Sequence, residues 1–201
     1  MKELKNRYFL LRHGQTDKQP EEAETVYRKE DDNFYYSLSE FGKQQIKERT
    51  VQLKKENINL IFSSDLSRTK QSVDIIAKEL NLPVHLDKRL RDTNWGVLHG
   101  KTFEEAWGFY NHDMEKRFQI VPPEGESWQD LRERVIEFLE ELEKKYNQKN
   151  ILIVSHGDPL WIIESWIKDL NHKESLAIRK EGCPMKMGEL KQFTGELKQF
   201  N

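Results

Sequence analysis

Ile151-Leu152-Ile153-Val154-Ser155-His156-Gly157 is an unbroken apolar run stopped by a polar triplet. Short runs of branched aliphatics with no alternation read as strands buried on both faces, the pattern of a parallel sheet. Tyr8-Phe9-Leu10-Leu11 repeats the pattern near the other end of the chain and stops at Arg12-His13-Gly14. Leu60-Ile61-Phe62 is a third such run, ended by Ser63-Ser64-Asp65, and Pro83 to Leu86 is a shorter one. Between the runs the period changes from two to about 3.6. Ser39-Glu40 opens a helix to about Lys55, with Ile46, Thr50 and Leu53 on one side. Ser63-Ser64-Asp65 is expected to cap a helix to about Leu80, built on Val73, Ile76, Ala77 and Leu80. Ser127 starts a long amphipathic helix with the stripe Leu131, Val135, Phe138, Leu142 and Tyr146. Pro159 suits the first turn of a last helix carrying Leu160, Ile163, Trp166 and Ile167.

Strands alternating with helices require right-handed crossovers and a mostly parallel sheet covered on both faces. The expected fold is therefore α/β, a three-layer sandwich with a small helical insertion over the active site. Residues 1–201 are expected to form a single domain. The insertion, at about 100–126, holds Phe103, Trp107, Phe109, Tyr110 and Phe118 among charges. The tail repeats itself, Gly188 to Phe193 and Gly195 to Phe200, which allows two short pairing strands or one strand and a frayed end.

Hydrophobic residues make up 36% of the chain and charged residues 34%, with a net charge of −2. No global field draws in nucleic acid or an acidic membrane, so an anion site must be local. A single cysteine, Cys183, excludes an internal disulfide and a cysteine-based zinc framework. No signal-peptide core and no apolar run of membrane-spanning length occurs, so a cytoplasmic protein is the default expectation.

Three strands ending in polar clusters are the chemical clue. In open α/β sheets ligands lie beyond the carboxyl ends of the strands. Arg12-His13-Gly14, Ser63 to Arg68 and Ser155-His156-Gly157 should meet there. Gly14 and Gly157 allow close approach to the backbone, and helix N-termini add N–H donors. Such a cationic pocket suits a phosphoryl group, because guanidinium groups bind phosphate oxygens in pairs. Arg12, Arg68 and His156 would stabilise the equatorial oxygens. His13 would attack phosphorus as neutral imidazole and carry a covalent phosphohistidine. A carboxylic acid must then protonate the leaving oxygen.

Five segments resemble the histidine phosphatase superfamily, in its phosphoglycerate-mutase-like branch. They are Leu11-Arg12-His13-Gly14-Gln15-Thr16, Leu38 to Gln45, Ser63 to Thr69, Pro123-Glu124-Gly125-Glu126-Ser127 and Val154-Ser155-His156-Gly157. The resemblance implies His13 as nucleophile, Arg12, Arg68 and His156 as phosphate ligands, and Gly14, Thr16 and Gly157 beside them. It implies no metal and no cofactor. The family's usual proton donor, a Glu two residues after a Leu, aligns with Asp92 in Leu90-Arg91-Asp92, one methylene shorter. His99, where the family's Trp-Glu-Gly becomes Leu98-His99-Gly100, and Asp158 are further proton-donor candidates. Gln19 stands where the mutases have an Asn, which argues against a mutase.

The expected activity is metal-independent hydrolysis of small phosphorylated metabolites, with no nucleic-acid or membrane partner; a homodimer is compatible with the sequence. The alternatives are a phosphoglycerate mutase and a catalytically silent phospholigand-binding protein. A metal site built from His13, His156 and Asp92 lacks the H-x-H or H-x-x-x-H spacing that would support it. His85, His112 and His172 have no matching context and are expected at the surface.

Overall fold

The computed structural model of the chain describes residues 2–17, 24–27 and 36–193. Its centre is a sheet of five strands: β1 (Arg7–Arg12), β2 (Leu60–Ser63), β3 (Val84–Leu86), β4 (Asn150–Ser155) and β5 (Leu190–Phe193). The spatial order is β3-β2-β4-β1-β5. β1, β2, β3 and β4 are parallel, and β5 runs antiparallel along β1. The apolar runs became strands because both of their faces are buried. Tyr8 and Leu10 join one hydrophobic cluster and Phe9 and Leu11 the other, as the two-residue period of a strand dictates.

Helices fill both faces. α1 (Glu40–Leu53) and α2 (Ser67–Leu80) set Ile46, Leu53, Val73 and Ile76 against Phe9, Leu11 and Val154. α5 (Trp128–Lys145) and α6 (Gly157–Ile167) set Leu131, Val135, Phe138, Leu160 and Ile163 against Tyr8, Leu10 and Ile153. Ser127 caps α5 in a capping box with Asp130. Tyr146, expected within the stripe, is the residue at which α5 ends. The short helices α3 (Phe103–Gly108) and α4 (Met114–Gln119) belong to the insertion, and α7 (His172–Lys180) follows α6. Ala106 and Tyr110 of the insertion make a small separate cluster with Val26 and Leu98. Arg117 is fully buried in the insertion, its guanidinium 4.3 Å from the Trp95 ring and 5.0 Å from that of Tyr110.

α2 does not start on the serines. Leu66, still extended, is its N-terminal boundary and no side chain caps it. Ser64 is thereby left on the sheet edge rather than in the helix. Of the tail repeat, only the first copy lies within the described residues, where it supplies β5. The second copy and Gln19 lie outside them. Among the described residues no helix is long and apolar enough to cross a membrane.

Candidate active site

Register brings the polar clusters together. Arg12 pairs with Ser155 across β1 and β4, so His13 and His156 leave the sheet side by side. Ser63 pairs with Val154, which puts Ser64 next to Ser155. Neighbouring strands lie about 4.8 Å apart, and the imidazole centroids of His13 and His156 are 5.2 Å apart. Gly14 must be glycine for this turn to close, since a Cβ there would lie 2.5 Å from the Gly42 carbonyl oxygen at the start of α1.

His13 is wholly buried. Its Nδ1 is 2.8 Å from the Gly14 carbonyl, an acceptor only, so Nδ1 carries the hydrogen. The lone pair is therefore on Nε2, which has no hydrogen-bond partner in the protein. Burial holds the imidazole well below the ordinary histidine value, and the Arg68 and Arg12 charges push it further down. His156 is equally buried and equally held neutral, by burial first and then by Arg68. Its Nε2 meets Ser64 Oγ at 2.9 Å. That oxygen also accepts from the Leu66 amide, and in the tautomer with the proton on Nδ1 it donates its own hydrogen to Nε2. In that tautomer the Nδ1–H has no hydrogen-bond partner in the protein and lies 3.9 Å from Asp92 Oδ2.

The two arginines are held differently. Arg12 donates through Nη1 to the Met185 carbonyl at 2.8 Å and to Cys183 Sγ at 3.1 Å. Arg68, 2% exposed, donates through Nη2 to Asp92 Oδ2 at 3.2 Å and lies 4.4 Å from the Tyr27 ring centre. A cavity of about 480 Å³ opens at this point, lined by Arg12, Arg68, Asp92 and Gly157, and walled further out by Tyr27, Trp95 and Phe103. That volume is in the range of small-molecule sites.

Three acid–base candidates separate by their partners. Asp92 lines the cavity and is partly exposed. Burial raises its pKa and the nearby Asp158 charge adds to this, against the opposing pull of Arg68 and Arg12. Asp158 accepts from Thr93 Oγ1 and Trp128 Nε1, both at 2.9 Å, and from Arg179. Although burial opposes ionisation, Arg179 and the Trp128 hydrogen bond hold Asp158 below the usual carboxylate value. It is an ionised buttress with no proton to give. His99 is half-buried at the cavity wall and engaged at both ring nitrogens. Its Nδ1 donates to the Tyr27 carbonyl at 2.7 Å and its Nε2 accepts from the Trp95 amide at 3.1 Å.

Of the remaining expected phosphate contacts, Gly157 lines the cavity at the first position of α6. The Gly14 amide instead donates to Ser72 Oγ, and Thr16 Oγ1 bonds to the Tyr27 hydroxyl. Sequence reasoning missed Ser64's contact with His156, Cys183 and Met185 behind Arg12, and Tyr27 over Arg68. It also missed Arg134, which bonds the Arg89 and Asp92 carbonyls and Glu126 and so fixes the Asp92 backbone. Only Glu126 had a signal, in Pro123-Glu124-Gly125-Glu126-Ser127. Among the described residues no group of three or more His, Cys, Asp or Glu is arranged to hold a metal ion.

A family model, the histidine phosphatase superfamily (branch 1), matches residues 8–201. The chain belongs to this superfamily. It is 32% identical over 183 residues to a probable phosphoglycerate mutase, GpmB, of Escherichia coli, covering 87% of this chain and 80% of that protein. A mycobacterial glucosyl-3-phosphoglycerate phosphatase superposes with a TM-score of 0.77 at 25% identity, covering 92% of this chain and 88% of that chain. The alpha-ribazole phosphatase of Shigella flexneri shares the fold, with a TM-score of 0.75 at 21% identity and coverage of 94% and 90%.

Proposed function

We propose that this histidine phosphatase hydrolyses small phosphomonoesters in two displacements through a phosphohistidine on His13. The carrying observation is the His13 imidazole. Its Nδ1–H is committed to the Gly14 carbonyl, and its unprotonated Nε2 is buried beside two guanidinium groups. In the first step the Nε2 lone pair forms a bond to phosphorus and the ester P–O bond breaks. Asp92 gives its proton to the departing alcohol oxygen. In the second step water attacks phosphorus, its proton returns to the Asp92 carboxylate, and the P–N bond breaks to release phosphate and neutral His13. Arg12, Arg68 and the Nδ1–H of His156 would hold the equatorial oxygens throughout, with electrostatic positioning as the main source of acceleration.

The test is phosphate release from p-nitrophenyl phosphate in excess chelator, with an acid-labile phosphoryl adduct sought on His13 by mass spectrometry. We expect steady turnover, the adduct, and loss of both in a folded His13→Ala variant. A variant keeping more than about a tenth of the activity, a threshold far above the loss expected for a missing nucleophile, would overturn the proposal. The similarity to GpmB favours a second reading, a phosphoglycerate mutase. That enzyme would isomerise 3-phosphoglycerate much faster than it releases phosphate.

A further inference from the structure

The contacts of His99 give it a defined job without chemistry. The segment Glu24 to Tyr27 is tied to the insertion by three backbone hydrogen bonds: Val26 N–H to Lys101 O, Gly100 N–H to Val26 O and Phe103 N–H to Glu24 O. Thr25 and Thr102 form an antiparallel bridge in the same stretch. His99 adds the side-chain tie, 2.7 Å from Nδ1 to the Tyr27 carbonyl. So anchored, Tyr27 puts its ring 4.4 Å from the Arg68 guanidinium carbon and its hydroxyl 3.2 Å from Thr16 Oγ1. Tyr36 packs edge-on against the same ring at 4.5 Å. Tyr27 also lines the cavity that Arg68 lines.

We infer that Tyr27 is a positioning residue, a ring clamp that fixes the plane of the Arg68 guanidinium, and that His99 holds the clamp in place. The inference rests on the phosphate-binding role proposed for Arg68. A planar guanidinium binds phosphate well only when its fork is aimed, and a long side chain left free loses that aim. Asp92 on one edge of Arg68 sets one direction, and the Tyr27 ring, 4.4 Å from the guanidinium carbon, opposes rotation about the other. The departure of Leu98-His99-Gly100 from the family pattern thus has a consequence: the histidine supplies an anchor for the aromatic strap rather than a proton.

The probe is inorganic phosphate, titrated calorimetrically, so binding is read whether or not the protein turns over. Tyr27→Leu is expected to weaken phosphate binding about tenfold, the scale of a desolvated cation–π contact. Tyr27→Phe, which keeps the ring, should stay within about threefold of wild type. His99→Ala should weaken binding less than Tyr27→Leu, and the double variant should be no worse than Tyr27→Leu alone. Wild-type affinity in Tyr27→Leu, an equal loss in Tyr27→Phe, or multiplied losses in the double variant would each overturn the inference. The Arg68 Cδ protons supply a measurement that needs no variant: in the wild-type NMR spectrum they should be shifted upfield by the ring. Normal positions for them would also overturn it. Phosphate binding that responds as expected in a protein with no hydrolytic activity would sink the proposed reaction and leave the clamp standing.

Discussion

Replacing Asp92 by Asn separates proton donation from every other role at that position. The side chains are the same size, and both can accept the Thr93 amide hydrogen bond, which is 3.1 Å long at Oδ1. The amide has one oxygen where the carboxyl has two, so Thr93 N–H and Arg68 Nη2 must now share it. Losing one such hydrogen bond costs about 1 kcal/mol, roughly a fivefold effect that should reach every substrate equally. The missing proton acts selectively. A general acid contributes about 10²–10⁴ when the leaving group is poor, so an alkyl ester such as glycerol 3-phosphate should lose about 10³. For p-nitrophenyl phosphate, whose phenolate leaves unaided, only the fivefold effect remains. The fivefold effect cancels between the two esters, so the ratio of the two kcat/KM losses should be about 10³, obtained from steady-state assays on both esters. Burial raises the Asp92 pKa, so at pH values below it the substitution removes no charge, and inorganic phosphate affinity measured there should change by less than about threefold. Equal losses on the two esters would refute the assignment of Asp92 as the acid. Phosphate binding tightened tenfold or more would show instead that a negative charge had been removed.

Stability should fall as pH drops below about 6.5, because the unfolded chain then takes up protons that buried His13 and His156 refuse. Asp92, shifted the other way, offsets part of this. The difference between wild type and His13→Gln isolates one histidine, at about 1.4 kcal/mol per pH unit in urea unfolding, and identical slopes would contradict it. Gly96→Ala should cost several kcal/mol in the same measurement, on the order of 3. Gly96 has a φ of +55° and a Cβ there would lie 2.0 Å from the Pro123 carbonyl oxygen, so a loss below about 1 kcal/mol would mean that the turn yields. Phe138→Ala should lower stability by about 3–5 kcal/mol through a cavity between α5 and the sheet, read as a fall in thermal midpoint; a loss under 1 kcal/mol would mean that the core closes around it.

What the sequence exposed was what short-range pattern can encode. Continuous apolar runs announced β1, β2 and β4, and the polar residues ending each run announced the edge where a ligand would sit. The helices followed from their stripes, Val73 and Ile76 in α2, Leu131 and Val135 in α5. The rest depends on contacts between distant segments. Asp92 and Asp158 look alike as isolated carboxylates. They part company only when Trp128, Thr93 and Arg179 converge on one of them. Ser64 read as a cap and became a partner of His156 because Leu66 keeps the chain extended past it. His99 reads from sequence as a proton-donor candidate, and its acceptor, the Tyr27 carbonyl, lies 72 positions away.

β4 sits between β2 and β1, and this order has a consequence for the chain as it is made. During synthesis both earlier strands leave the ribosome with an unfilled edge, since the strand that joins them is encoded after residue 149. Until then their backbone amides and carbonyls can pair with any passing extended segment, including another nascent copy. Ribosome-bound fragments that end before Asn150 would be the ones to need a chaperone, and they would hold only half of a histidine pair.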